Sequence, residues 1–129
     1  MQLRDYFPNL NKKYSKIFFS GISFDSSKIK KNDIFFAIKG NKFDGNNYIN
    51  IAIKKGAKVI VTEKKITKKS ENVVYLQSSN IRKLLANISY KILNQKPKKL
   101  VAVTGTNGKS SIADFFYQIL NLNSKKAAS

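Results

Sequence analysis

Residues 100–111 constrain local structure more tightly than any other stretch of this sequence. Leu100, Val101, Ala102 and Val103 form a short apolar run, and Thr104-Gly105-Thr106-Asn107-Gly108-Lys109-Ser110-Ser111 follows at once. Beyond it, Ile112, Phe115, Phe116, Ile119 and Leu120 recur at helical spacing. The pattern predicts strand, glycine turn and helix in that order, an α/β unit. The same layout serves to bind phosphate. Gly105 and Gly108 let the backbone turn and bring its N–H groups against phosphate oxygens, where a side chain would obstruct. The amino end of the helix adds partial positive charge. Lys109 can reach terminal phosphates as a point charge, and the Ser110 hydroxyl can ligate Mg²⁺. Gly105, Thr106, Asn107, Gly108, Lys109, Ser110 and Ser111 are therefore the candidate nucleotide-binding residues, with Lys109 in the catalytic role and Ser110 on the metal.

Composition removes several chemistries. The 129 residues contain no cysteine and no histidine, which excludes thiol nucleophiles, disulfides, imidazole bases and the common zinc sites. An apolar share of 42% is enough for a core. No apolar run approaches the ~18 residues needed to span a bilayer, and the amino end does not read as a signal peptide. A cytoplasmic protein without a membrane partner is the expectation. The formal charge of +18 invites a nucleic-acid reading. Arg4 and Arg82 are the only arginines among 25 basic residues, and the lysines are scattered through every segment. Direct base readout leans on arginine, so nucleic acid is not the expected partner, and a basic nucleic-acid-binding module stays as the alternative from that class.

In chain order, Leu3 to Leu10 reads as a short lead-in ending near Pro8. Ile17 to Phe24 reads as a strand with Gly21 as a bulge. A polar connection leads to Ile34-Phe35-Phe36-Ala37-Ile38, a short continuous apolar run expected as a buried strand. Residues 39–47 form a loop. Tyr48, Ile49, Ala52 and Ile53 mark a helix closed by Gly56. Residues 58–62 and 73–76 are two further strands, separated by a lysine-rich loop. Ile81, Leu84, Leu85, Ile88 and Ile92 mark an amphipathic helix capped by Ser79 or Asn80. Lys96-Pro97-Lys98-Lys99 reads as a linker. The expected division is a first domain over residues 1–95 and the start of a second over 96–129. One strand and one helix cannot bury both faces of a sheet, so this second domain is expected to be incomplete.

Val103 stands where the generic phosphate-loop template has its leading glycine. The compact form Gly105-Thr106-Asn107-Gly108-Lys109-Ser110 instead resembles the nucleotide loop of the Mur ligases, ATP-dependent enzymes that add amino acids to the UDP-N-acetylmuramoyl precursor of peptidoglycan. The first domain carries the resemblance further. Phe24-Asp25-Ser26-Ser27, Asp33 through Gly40, Asp44-Gly45, Tyr48-Ile49, Ala52-Ile53 and Gly56-Ala57 follow the order and spacing of that family's UDP-substrate domain. Ser27 departs from it, standing where the pattern has arginine. Any contact that arginine makes is lost or comes from another side chain such as Lys28.

What the resemblance implies is specific. The chain would be an α/β UDP-substrate-binding domain followed by the first strand, phosphate loop and helix of an incomplete ATPase domain. Phe24 and Ser26 would meet the uracil–ribose end, with Asn41, Lys42 and Phe43 lining the same pocket; Asp44 and Gly45 are expected to shape the loop. A hydroxyl and an amide can pair with uracil edges, an aromatic can pack on a ring, and lysine suits a pyrophosphate. The reagents would be UDP-MurNAc-dipeptide, an amino acid, ATP and Mg²⁺, handled by a monomer. ATP would phosphorylate the terminal carboxylate, and the incoming amine would displace phosphate from the acyl phosphate. Lys109 and Mg²⁺ would offset the charge of the transferred phosphoryl group. The loop and helix resemble the members that add the third residue more than those that add D-Ala-D-Ala. A UDP-sugar binder without catalysis is the remaining alternative. The other acidic ligands and the amino-acid pocket of the family fall outside these residues, so the expectation is that the chain alone lacks ligase activity.

Overall fold

The computed structural model describes residues 1–7, 10–65, 70–94 and 96–128. The chain divides into two compact units, Met1–Asn94 and Gln95–Ser129.

The first unit is built on four short strands, β1 (Ile22–Ser23), β2 (Ile34–Ala37), β3 (Val59–Thr62) and β4 (Val74–Gln77). They pair in chain order and all run parallel, with Ile34 opposite Val59 and Val59 opposite Val74. Parallel strands carry cover on both faces, so their apolar runs are continuous rather than alternating. The side chains nevertheless divide by the two-residue period of a strand. Ile34, Phe36, Val59 and Val61 face one core, together with Leu3, Phe7, Phe19 and the helix residues Ile81 and Ile88. Phe35, Ala37 and Ile60 face the other, with Ile29, Ala52 and Ala57. Burying Phe35 and Phe36 completely on opposite faces contributes about 2–3 kcal/mol each relative to exposure.

Helix α1 (Ile49–Lys54) covers the second face and follows a single tight turn over Gly45–Tyr48. It ends where Gly56 adopts φ +99°; the Gly56 N–H donates to Ile53 O at 2.9 Å and the Ala57 N–H to Ala52 O at 3.0 Å. Helix α2 (Ile81–Ile92) covers the first face. Asn80, not Ser79, is its cap, its Oδ1 accepting from the Lys83 N–H at 2.9 Å.

Two expectations are corrected. The strand expected over residues 17–24 joins the sheet through Ile22 and Ser23 alone. Residues 17–19 are tied to the amino terminus instead: Leu3 N–H donates to Ile17 O at 2.8 Å and Phe19 N–H to Met1 O at 2.9 Å. Gly21 marks the change of partner, since a Cβ there would lie 3.0 Å from an Asp33 carboxylate oxygen. Pro8 and part of the lysine-rich loop, residues 66–69, lie outside the described residues.

The second unit contains helix α3 (Lys109–Leu122). The strand expected over residues 100–103 is absent among the described residues. A strand needs a neighbour for its backbone groups, and no second strand exists in this unit among the described residues. Leu100 and Val101 are exposed, as are Phe115, Phe116 and Ile119 of α3. Among the described residues no helix is long and apolar enough to cross a membrane.

Candidate functional site

In a parallel sheet every strand ends at the same edge, and the loops that leave that edge can converge on a ligand. Here the turn after β1 contributes Phe24, Asp25, Ser26 and Ser27, and the loop after β2 contributes Gly40, Asn41, Lys42 and Phe43. With Ile38, Tyr48 and Arg82 they line a cavity of about 810 Å³. Phe24, Ser26, Asn41, Lys42 and Phe43 therefore share one cleft, although two separate loops supply them. Phe24 and Phe43 are 67% and 70% exposed, so neither contributes to the core and both rings are available to a ligand.

Each loop is held by polar contacts. Asp25 Oδ1 accepts from the Ser27 N–H at 2.8 Å and the Ser27 hydroxyl at 2.7 Å. These bonds, the side-chain one first, hold its carboxyl below the usual carboxylate range. Lys55 Nζ donates to Ser27 O at 2.8 Å and ties this turn to the end of α1. Ser26 lies at the start of the turn and lines the cleft.

The second loop closes on itself where the Gly40 N–H donates to Phe43 O at 2.8 Å. Asp44 then anchors it. One carboxylate oxygen receives Lys64 Nζ at 2.7 Å, and the other receives the Asn46 N–H at 2.9 Å and the Asn46 amide at 2.6 Å. The Lys64 bond, followed by those from Asn46, holds the Asp44 carboxyl far below its ordinary range. Asn46 Oδ1 in turn accepts from the buried Thr62 hydroxyl at 2.5 Å. Asp44 and Gly45 thus shape and fix the loop, as the sequence suggested.

Arg82 was not singled out from the sequence. It stands in the first turn of α2, and its Nη2 donates to Lys39 O at 3.0 Å. Lys28, the expected substitute for the arginine absent at position 27, does not line the cavity. Arg82 does, and an arginine in a chain whose cations are nearly all lysine was the available signal.

The phosphate-loop candidates belong to the second unit. Gly105 has φ +155° and Gly108 φ +73°, and a Cβ at Gly108 would meet nothing within 4 Å. Gly108 precedes α3 and leaves its amino end without a side-chain cap. Lys109 Nζ turns back to donate to the carbonyl of Gly105 and to that of Thr106, the latter at 3.2 Å. Thr106, Asn107, Ser110 and Ser111 are exposed. Left-handed glycine, an uncapped helix start, an ammonium and two hydroxyls fit a phosphate chain. Among the described residues no group of three or more acidic, histidine or cysteine side chains could hold a metal; Ser110 is a single candidate ligand.

A model of the Mur ligase family, catalytic domain, matches residues 18–96, most of the first unit. The chain belongs to the Mur ligase family. Among curated proteins it is similar to the UDP-N-acetylmuramoyl-L-alanyl-D-glutamate–2,6-diaminopimelate ligase of Fusobacterium nucleatum, with 44% identity over 81 residues. That match covers 63% of this chain and 16% of the relative, so the chain spans about one-sixth of its length. Among solved structures, the MurF ligase of Thermotoga maritima in complex with ADP matches 78% of this chain and 23% of its own, with TM-score 0.62 and 29% identity. A structure of a UDP-N-acetylmuramoyl-L-alanyl-D-glutamate–2,6-diaminopimelate ligase gives TM-score 0.75 over 96% of this chain and 26% of its own. Its identity is 21%, and the likeness is one of fold.

Proposed function

We propose that this chain is the UDP-substrate-binding region, with the first part of the ATP-binding region, of a ligase that adds the third residue to UDP-MurNAc-L-Ala-D-Glu. The observation that carries the reading is the cleft itself. Two exposed phenylalanines, a hydroxyl, an amide and a lysine line one cavity at the carboxyl edge of the sheet. Phe24 and Phe43 offer flat apolar surface to a base and ribose. Ser26 and Asn41 pair with the base edges, and Lys42 offsets diphosphate charge. The likeness to a curated diaminopimelate-adding ligase supports this substrate class.

ATP and Mg²⁺ complete the proposal. Backbone N–H groups around Gly105 and Gly108 and the start of α3 would hold the phosphates, with Thr106, Asn107 and Ser111 shaping the loop. Ser110 would ligate the metal. Lys109 would leave the Gly105 and Thr106 carbonyls to meet the terminal phosphate and offset its charge during transfer. The residues that complete the metal and amino-acid sites are not found in this chain, so it binds substrate but does not join amino acid to peptide alone. A monomer in the cytoplasm, with neither nucleic acid nor membrane as partner, fits this role.

Calorimetry with UDP-MurNAc-dipeptide tests the reading. Binding by the 129-residue chain, weakened roughly tenfold by Phe43→Ala or Ser26→Ala, is expected. No binding, or phosphate release when ATP and amino acid are added, would overturn it. The likeness to the MurF ligase favours a second reading, a ligase adding D-Ala-D-Ala. Mass analysis of the product made by the longest encoded form from dipeptide and tripeptide substrates separates the two.

A further inference from the structure

The loop over residues 39–44 brings Asn41, Lys42 and Phe43 to the cleft, yet burial does not hold it. Phe43 is 70% exposed, and Asn41 and Lys42 are exposed as well. Polar tethers must therefore set its position. At its far end the tether is Asp44, locked to Lys64 and Asn46. At its near end it is the guanidinium of Arg82, donating to Lys39 O at 3.0 Å from 43 positions further along the chain. Lys39 and Asp44 pair across the neck of the loop, so both tethers act on the same closure.

We infer that Arg82 is a positioning residue of this cleft: it fixes the entry of loop 39–44 and so sets where Asn41, Lys42 and Phe43 meet the ligand. The consequence for binding rests on reading the cleft as a uridine-diphosphate pocket; the clamp itself does not. A guanidinium donates along fixed directions from a rigid plane, whereas an ammonium is a rotating point charge. This chain supplies its cations almost wholly as lysine. The arginine at position 82 therefore points to use of the guanidinium's shape. Its helix is fixed from both ends of its first turn, the Ile81 N–H donating to Glu63 Oε1 at 3.0 Å and the Lys83 N–H to Asn80 Oδ1 at 2.9 Å. The clamp is thus mounted on a rigid base, with Ile81 and Ile88 fully buried beneath it.

Amide hydrogen exchange on the ligand-free 129-residue chain tests the clamp, and titration with uridine diphosphate tests its consequence. Arg82→Ala is expected to speed exchange of the Gly40 amide roughly fivefold while β2 and β3 amides keep their wild-type rates. Arg82→Lys should return Gly40 to within about twofold of wild type, since an ammonium can donate to the same carbonyl. Arg4→Ala, at the other arginine, exposed and 3.6 Å from Asp5, should change nothing. Uridine diphosphate should bind Arg82→Ala roughly fivefold more weakly than wild type. An unchanged Gly40 rate, or equal acceleration across the sheet, overturns the clamp. A loosened loop with unchanged affinity overturns its role in binding. Failure of the wild-type chain to bind uridine diphosphate refutes the pocket reading, and the Gly40 rates then decide the clamp without it.

Discussion

Gly45 sits where the ligand-bearing loop meets the end of β2, and replacing it with alanine should both destabilise the first unit and displace the loop. An added Cβ would lie 2.6 Å from Ile38 O, 2.7 Å from Ile38 N and 3.0 Å from the Ala37 carbonyl carbon. All three are backbone atoms, so no rotamer change relieves the overlap. The Gly45 N–H also donates to Ile38 O at 2.9 Å, and this bond must lengthen as the chains part. Overpacking costs ~1–3 kcal/mol and the weakened bond about 1 kcal/mol more, or roughly 2–4 kcal/mol together. For a unit of this size each kcal/mol lowers the melting midpoint by about 4–8 °C, so a fall on the order of 10–20 °C is expected. Gly40→Ala is the comparison. Its Cβ meets only Phe43 O at 3.2 Å, a contact within a surface loop that can yield, and the expected cost is ~1 kcal/mol or less. Circular dichroism melts give the midpoints, and uridine diphosphate titration below both midpoints reads the displaced loop. A Gly45→Ala midpoint within about 2 °C of wild type, or a larger loss in Gly40→Ala, would refute the reasoning.

Three further outcomes follow from the same structure. Thr62→Val removes a buried hydroxyl that donates to Asn46 Oδ1 at 2.5 Å and accepts from the Lys64 N–H at 3.1 Å; a loss of ~1–3 kcal/mol in urea unfolding is expected, largely restored by Thr62→Ser. Because the folded Asp44 carboxyl is held below its unfolded value near ~3.9, its tether is complete above that pH and is lost only as pH falls toward strong acid. The Asn46 amide resonance should therefore stay constant from about pH 8 down to about pH 4, and an inflection above pH 4 would contradict the assignment. Lys109→Ala should weaken Mg²⁺-dependent ATP binding at least roughly tenfold, read with a fluorescent ATP analogue, while leaving the melt of the first unit unchanged.

The elements that carry their own local signal were legible in the sequence. The continuous apolar run at Ile34 became a strand buried on both faces, and the spacing from Ile81 to Ile92 became a helix with Asn80 as its cap. Gly56 closed α1 because its φ of +99° suits glycine. Partner choice was less legible. Residues 17–19 have strand composition, but whether they join the sheet or the amino terminus depends on Met1 and Leu3, which no local pattern reports. Residues 100–103 likewise have strand composition without a strand beside them. In the cleft, Phe24, Ser26, Asn41, Lys42 and Phe43 came from motif spacing, whereas Arg82 enters through a contact between distant parts of the chain. The substitution at position 27 pointed to a missing guanidinium but not to where another would stand.

Nuclear magnetic resonance mapping of the 129-residue chain with UDP-MurNAc-dipeptide most directly tests whether this cleft is the substrate site. Shifts concentrated at Phe24, Ser26 and residues 40–43, saturating with ligand, are expected. An unchanged spectrum, or shifts confined to the separate groove lined by Phe7, Tyr14, Tyr75 and Leu84, would contradict it.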